Sequence, residues 1–226
     1  MKKIITIILA MACAFTLFSC GGGGETEASI DEINSMYNAI SPSRVDVTTT
    51  KTFGKYQLKT VSSLVTGYVD DFAVTVYTET KQQLRDIDSG SGAEILGPIE
   101  EVVSSWVYHE DLGYRENGGK WDEEADDPTP ETGAIALNIS SDTVEDFNND
   151  EETKTVTFKV LPEDSEEVFG YALPSEAAVT IVHSGADIVS VKIAYTVTDA
   201  ENEIHPTIDI VIEAKYSYVA QQVTFD

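Results

Sequence analysis

Hydrophobic and polar positions along the chain fall into three regimes. Residues 4–18 are apolar almost without interruption, broken only by Thr6 and Thr16. Residues 29–40 place Ile30, Ile33, Tyr37 and Ile40 on one face at helical spacing. Ser29-Ile30-Asp31-Glu32 fits a capping box, with Ser29 at the N-cap and Glu32 three residues on, and Ser41-Pro42 supplies the stop. From residue 45 the period changes to two, and stretches rich in Val, Ile, Thr and Tyr predict strands.

Val45, Val47, Thr49, Lys51 and Phe53 alternate with Asp46, Thr48, Thr50 and Thr52 until Gly54. Residues 56–66 and 72–77 give two more strands, and 102–108 a fourth. Residues 114–121 predict a hairpin, with Asn117-Gly118-Gly119 supplying positive φ at its turn. In the carboxyl half, 154–161, 177–183, 189–198 and 208–218 read as strands, the third of these with Val189, Val191, Ile193, Tyr195 and Val197 on one face. A short helix is expected over 162–169: Pro162 opens it, Glu163 and Asp164 lie in its first turn, and Gly170 follows its end. The segment after residue 77 is expected to turn polar and helix-like. Short breaks between successive strands favour antiparallel pairing. The expected fold class is therefore mainly β (α+β): a curved antiparallel sheet or half-barrel of about nine strands with a few short covering helices. A β-sandwich is the alternative.

The amino end reads as an address. Lys2 and Lys3 precede a 15-residue apolar run, short of the roughly 20 residues a membrane-spanning helix needs. A basic start and a short apolar stretch are the pattern of a secretory signal. Leu17-Phe18-Ser19-Cys20 resembles the lipobox of bacterial lipoproteins. That resemblance implies cleavage between Ser19 and Cys20 and lipid attachment to Cys20, with palmitate-type acyl chains as the anchor. Of the two cysteines, Cys13 would leave with the signal, so the mature chain could form no internal disulfide. The expected organisation is a lipoprotein signal peptide (1–19), a lipidated Cys20 with a Gly-rich tether (20–28), and one mostly antiparallel β domain (29–226). The expected location is the bacterial cell envelope, membrane-anchored and facing outside the cytoplasm, in the periplasm or at the cell surface.

Charge narrows the partners. The chain carries 14 basic residues against 40 acidic ones, a net charge of -26. Removing Lys2 and Lys3 with the signal leaves 12 against 40, or -28. Nucleic-acid binding needs a basic face to neutralise phosphates, so no nucleic-acid partner is expected. The membrane is reached through acyl chains, since acidity this strong opposes adhesion to anionic lipid.

Catalytic and metal chemistry find little support in the sequence. His109, His183 and His205 are far apart, and no zinc, nucleophile-elbow or phosphate-loop pattern is present. No catalytic residue, no metal site and no cofactor is assigned, and the chain is read as a non-enzyme. A hydrolase would need two carboxylates facing each other in a cleft, a matter of distance in space. The acidic runs 122–127 and 148–152, and Asp86-Ile87-Asp88-Ser89-Gly90, contain the oxygen ligands calcium prefers but lack EF-hand spacing; solvated loops explain them better. Trp106, Trp121, Tyr108 and Tyr114 offer either core packing or an aromatic platform.

The order of elements — lipobox, Gly-rich tether, one amphipathic helix, then long antiparallel strands with short helices — resembles the LolA-like group of bacterial envelope proteins. These include lipoprotein carriers and lipidated glycolipid-binding relatives. The resemblance implies an incomplete barrel whose covering helices leave room for acyl chains. It also implies binding or transfer of a lipid-like, amphiphilic ligand in an apolar cleft. The alternative from a different class is a non-catalytic β-sandwich lipoprotein that contacts a protein or glycan at the surface.

Overall fold

The computed structural model describes residues 24–69, 72–85, 94–95, 106–109, 112–116, 119–120, 122, 135–198 and 206–220. The signal, Ser19 and Cys20 lie outside these, as do His205, Trp121, residues 86–90 and most of 122–127. Two helices are described, α1 (Gly24–Asn38) and α2 (Ser165–Phe169). The strands are β1 (Arg44–Phe53), β2 (Tyr56–Val69), β3 (Phe72–Arg85), β4 (Glu94–Ile95), β5 (Trp106–His109) and β6 (Gly113–Glu116). They continue with β7 (Glu145–Asp150), β8 (Thr155–Val160), β9 (Ala177–Ser184), β10 (Asp187–Thr198) and β11 (Thr207–Ser217).

All described strands belong to one antiparallel sheet in the order β6-β5-β3-β2-β1-β11-β10-β9-β8-β7, with β4 beside β3. The sheet is curved and unclosed. Eleven strands are found among the described residues, where about nine are expected for the chain, and they form a single layer there, not the two of a sandwich. The seam that joins the two halves of the chain is β1 with β11, where Val45 pairs with Tyr216 and Val47 with Ala214.

One hydrophobic core lies on one face of this sheet. Ile30, Ile33, Met36 and Tyr37 of α1 enter it, as does Val168-Phe169 of α2. They meet the alternating apolar rows of β8, β9 and β10: Val156, Phe158 and Val160; Ala177, Val179 and Ile181; Ile188, Val191 and Ile193. Each fully buried Val, Ile or Phe among them contributes about 1.5–3 kcal/mol. A third cover is the extended segment 135–140, whose Ile135, Leu137 and Ile139 are buried while Ala136 and Asn138 are exposed. It has strand-like alternation but sits outside the sheet. Side-chain bonds fix it instead: Asn34 Nδ2 donates to the Ile139 carbonyl (2.6 Å) and Asn34 Oδ1 accepts from the Ile139 N–H (3.1 Å). Its Asn138 N–H donates to the Val168 carbonyl at 2.9 Å, tying it to α2.

Three expectations need correction. Helix α1 starts at Gly24, so Ser29 lies inside it and residues 24–28 are helical where a tether was expected. β3 continues to Arg85, because β2 pairs with it along its whole length from Val69↔Phe72 to Tyr56↔Arg85; the polar residues after 77 are strand, not helix. β5 pairs with β6, Trp106↔Glu116 to His109↔Gly113; Asn117, Gly118 and Trp121 of the expected hairpin lie outside the described residues. Gly113 has φ +77°, in the left-handed region that favours glycine. Finally, a bulge between Ile188 and Ser190 turns Val189 outward. Ile188 becomes fully buried and Val189 is 40% exposed, as an extra residue in a strand requires.

The short helix is found close to where it was expected. Asp164 and Ser165 make turn bonds back to Leu161 and Pro162, and the helix proper is Ser165–Phe169. Gly170 ends it at φ +78°, its N–H donating to the Glu166 carbonyl at 2.9 Å.

Candidate functional site

Antiparallel pairing decides which side chains share a face. On the core face, β1 presents Val45 and Val47, then Thr49, Lys51 and Phe53 towards its far end. Opposite them on β11 stand Tyr216, Ala214, Ile212 and Ile210; on β2 stand Leu64, Ser62, Thr60, Leu58 and Tyr56. Ile210 and Ile208 in turn face Tyr195 and Val197 of β10.

Burial changes along this face. Val45, Val47, Ala214 and Tyr216 are in the core. One or two residues further, Ile212 and Tyr195 are only half-buried against it, and Val197 and Ile208 are half-buried as well. Lys51 is exposed. Ile210 is buried but stands outside the core cluster. The apolar row therefore runs on past the elements that cover the core. Phe53 and Tyr56 stack at its end, ring centroids 5.9 Å apart. Tyr171 packs on Phe169, ring centroids 6.1 Å apart. Burial pushes the Tyr171 and Tyr195 phenols above the ordinary tyrosine range, and in Tyr171 the charge of Tyr195 adds to it.

The same face is polar towards β3. Thr60 pairs with Lys81 and Ser62 with Glu79. Lys81 bonds Glu79 at 2.9 Å, and the Tyr77 hydroxyl donates to the same carboxylate at 3.2 Å. The exposed part of the sheet face thus has an apolar side built from β10 and β11 and a hydroxyl- and charge-bearing side built from β2 and β3. β1 forms the seam.

Where core and face meet, a tyrosine pair closes the structure. The Tyr37 hydroxyl donates to the Ile135 carbonyl and lies 3.3 Å from the Tyr216 hydroxyl. Burial raises both phenols above their ordinary range, Tyr216 the further. On the opposite face, burial alone would raise Asp46. The hydrogen bonds from Arg44 (2.8 Å) and Ser63 (2.6 Å), with the charges of Arg44 and Lys215, outweigh it and hold the carboxyl low.

The candidates for other chemistry do not converge. Among the described residues, no three of His, Cys, Asp and Glu stand together as a metal-binding group. The run 148–152 is the end of β7 and a turn. Asp150 Oδ1 accepts the N–H groups of Glu152 (2.9 Å) and Thr153 (3.1 Å), and Glu151 pairs with Lys154 at 2.7 Å. Asp150 and Glu151 are held low by these bonds, chiefly those from Thr153 and Lys154 respectively. His183 is 8% exposed, and neither ring nitrogen has a hydrogen-bond partner; His109 lies in β5.

The chain matches no family model and no curated protein. Among solved structures it is similar to the crystal structure of a DUF1329 family protein from Desulfovibrio piger, with 9% sequence identity and a TM-score of 0.28. That match covers 87% of this chain and 95% of the other. A likeness so distant passes no residue role from one protein to the other. No described helix is long and apolar enough to cross a membrane.

Proposed function

We propose that this chain is a lipid-anchored envelope protein whose curved, unclosed sheet binds a lipid-like, amphiphilic ligand. The supporting observation is the row Ile208, Ile210 and Ile212 with Tyr195 and Val197. It continues past the core on the covered face of the sheet, where Ile208, Ile212, Tyr195 and Val197 stay half-buried around the buried Ile210. An apolar surface left partly uncovered costs roughly 25 cal/mol per Å² relative to burial, so a hydrocarbon chain laid on it is stabilised. The polar side at Thr60, Ser62 and Lys81 gives a head group somewhere to face. Amphiphile binding needs no catalytic residue, and the reading assigns none.

Attachment through Cys20 would hold the domain at a membrane surface. Each acyl CH2 buried in the bilayer contributes about 0.8 kcal/mol, so two chains anchor firmly where one does not. The anchor also accounts for the lone cysteine of the mature sequence.

Two measurements test the halves of the proposal separately. The chain from Gly21 onward, which keeps α1 whole, should carry a co-purified amphiphile in native mass spectrometry and take up a fluorescent fatty acid. Protein that is empty and takes up nothing refutes the binding reading. Metabolic labelling with an alkyne fatty acid should mark the intact chain and leave Cys20→Ser unlabelled. Equal labelling of both refutes the anchor.

A further inference from the structure

We infer that the open end of this face selects a long-chain carboxylate, with Lys51 holding the head group; this rests on the amphiphile-binding reading above. Lys51 stands between Ile210 of β11 and Leu58 of β2, with Phe53 two residues along its own strand. A lysine in that position places one positive charge at the edge of an apolar row, its methylene stem lying on apolar neighbours and its ammonium free to meet a ligand.

The charge is uncompensated. On the core face of β1–β3 the described lysines are Lys51 and Lys81. Lys81 is neutralised by Glu79 at 2.9 Å, whereas Lys51 makes no ion pair among the described residues. In a chain of net charge -26, a basic group facing an apolar row with no acid beside it is an exception to the surrounding field. Its complement is one negative charge attached to a hydrocarbon.

The donor set favours a carboxylate. Lys51 supplies one compact point charge, which balances the single negative charge of a carboxylate, whereas a phosphate monoester would bring nearly two. Thr49 and Thr60, paired across β1 and β2 one step towards the core, are half-buried and add hydroxyl donors. One carboxylate oxygen can take the Lys51 ammonium and the other a threonine hydroxyl. The tail then lies over the half-buried Ile208, Ile212 and Tyr195 that flank the buried Ile210, on a row that extends about 14 Å from residue 208 to 212 at ordinary strand rise.

The test is photo-crosslinking of the full chain, in vesicles of zwitterionic lipid, with two diazirine probes of equal tail length: a fatty acid and a fatty alcohol. Peptide mass spectrometry locates the labels. The expected result is labelling of β1, β2 and β11 peptides, with the acid favoured over the alcohol by about tenfold, as a charge-assisted bond to a ligand supplies. Lys51→Met should abolish that preference while keeping the alcohol's labelling, and Lys51→Arg should restore it. If acid and alcohol label these strands equally in the parent chain and Lys51→Met changes nothing, the carboxylate inference is overturned and the amphiphile site stands. If neither probe labels these strands, the amphiphile-binding reading itself falls.

Discussion

At the scale of single residues, Tyr37 does the most to hold the cover on the sheet. Its hydroxyl satisfies the Ile135 carbonyl and touches the Tyr216 hydroxyl, so one side chain of α1 joins the extended segment 135–140 and β11. Tyr37→Phe keeps the ring and leaves the Ile135 carbonyl buried without that donor, a loss of about 1–3 kcal/mol. Tyr216→Phe leaves the Tyr37–Ile135 bond in place and should cost less. Urea denaturation of the two variants measures the difference; equal losses would mean that the Ile135 bond is not the important one. The pair also sets an alkaline limit. Burial raises both phenols above their unfolded value, so the folded state favours the protonated forms. Their contribution is fully present below about pH 10, the unfolded tyrosine value, and is lost as pH rises through and beyond it. Phenolate absorbance should therefore appear together with unfolding for these two side chains. Ionisation near pH 10 with the fold intact would show that they are solvated.

At the scale of elements, α2 offers a clean test of local geometry. Gly170 caps it at φ +78°, and a Cβ there would meet only Ala136 Cβ, at 3.9 Å. Space is available and conformation is the whole cost, so Gly170→Ala should lose roughly 1 kcal/mol with an unchanged fold. A loss of several kcal/mol in thermal melts would mean that the cap is crowded. The elements also show what the sequence could and could not reveal. β1, β8, β9 and β11 announce themselves by alternation because one face of each meets the core and the other meets water. β7 does not: Glu145–Asp150 has one apolar residue, Phe147, which stacks on Phe158 at 6.2 Å. Its charges and its bulge suit a sheet edge that must not recruit another chain. Residues 135–139 carry the opposite ambiguity, a strand pattern used by a cover with no strand partner. The candidate site was legible only as a class. Lys51 and Ile210 each sit in an obvious strand, but their adjacency depends on β1 pairing with β11 across nearly the whole chain.

At the scale of the whole molecule, one sheet has two differently supported parts. β8, β9 and β10 present rows of fully buried side chains to α1, α2 and residues 135–139, whereas most described side chains of β2 are half-buried and those of β3 range from buried Tyr77 to exposed Lys81 and Gln83. Continuous hydrogen bonding across the sheet does not equalise local stability, because opening a strand costs the apolar contacts it gives up as well as its backbone bonds. Amide hydrogen exchange should therefore be slowest in β8–β10 and faster across β2 and β3, with β11 and β1 between. An amphiphile seated on the half-buried Ile208, Ile212 and Leu58 would supply the missing contacts on the open part. Adding it should slow exchange in β1, β2 and β11 and leave β8 and β9 nearly unchanged, since those strands already open only with the whole domain. Uniform slowing across all strands would instead indicate a ligand that stabilises the fold by mass action from elsewhere. No change in β1, β2 and β11 at saturating amphiphile would remove the open face as the binding surface.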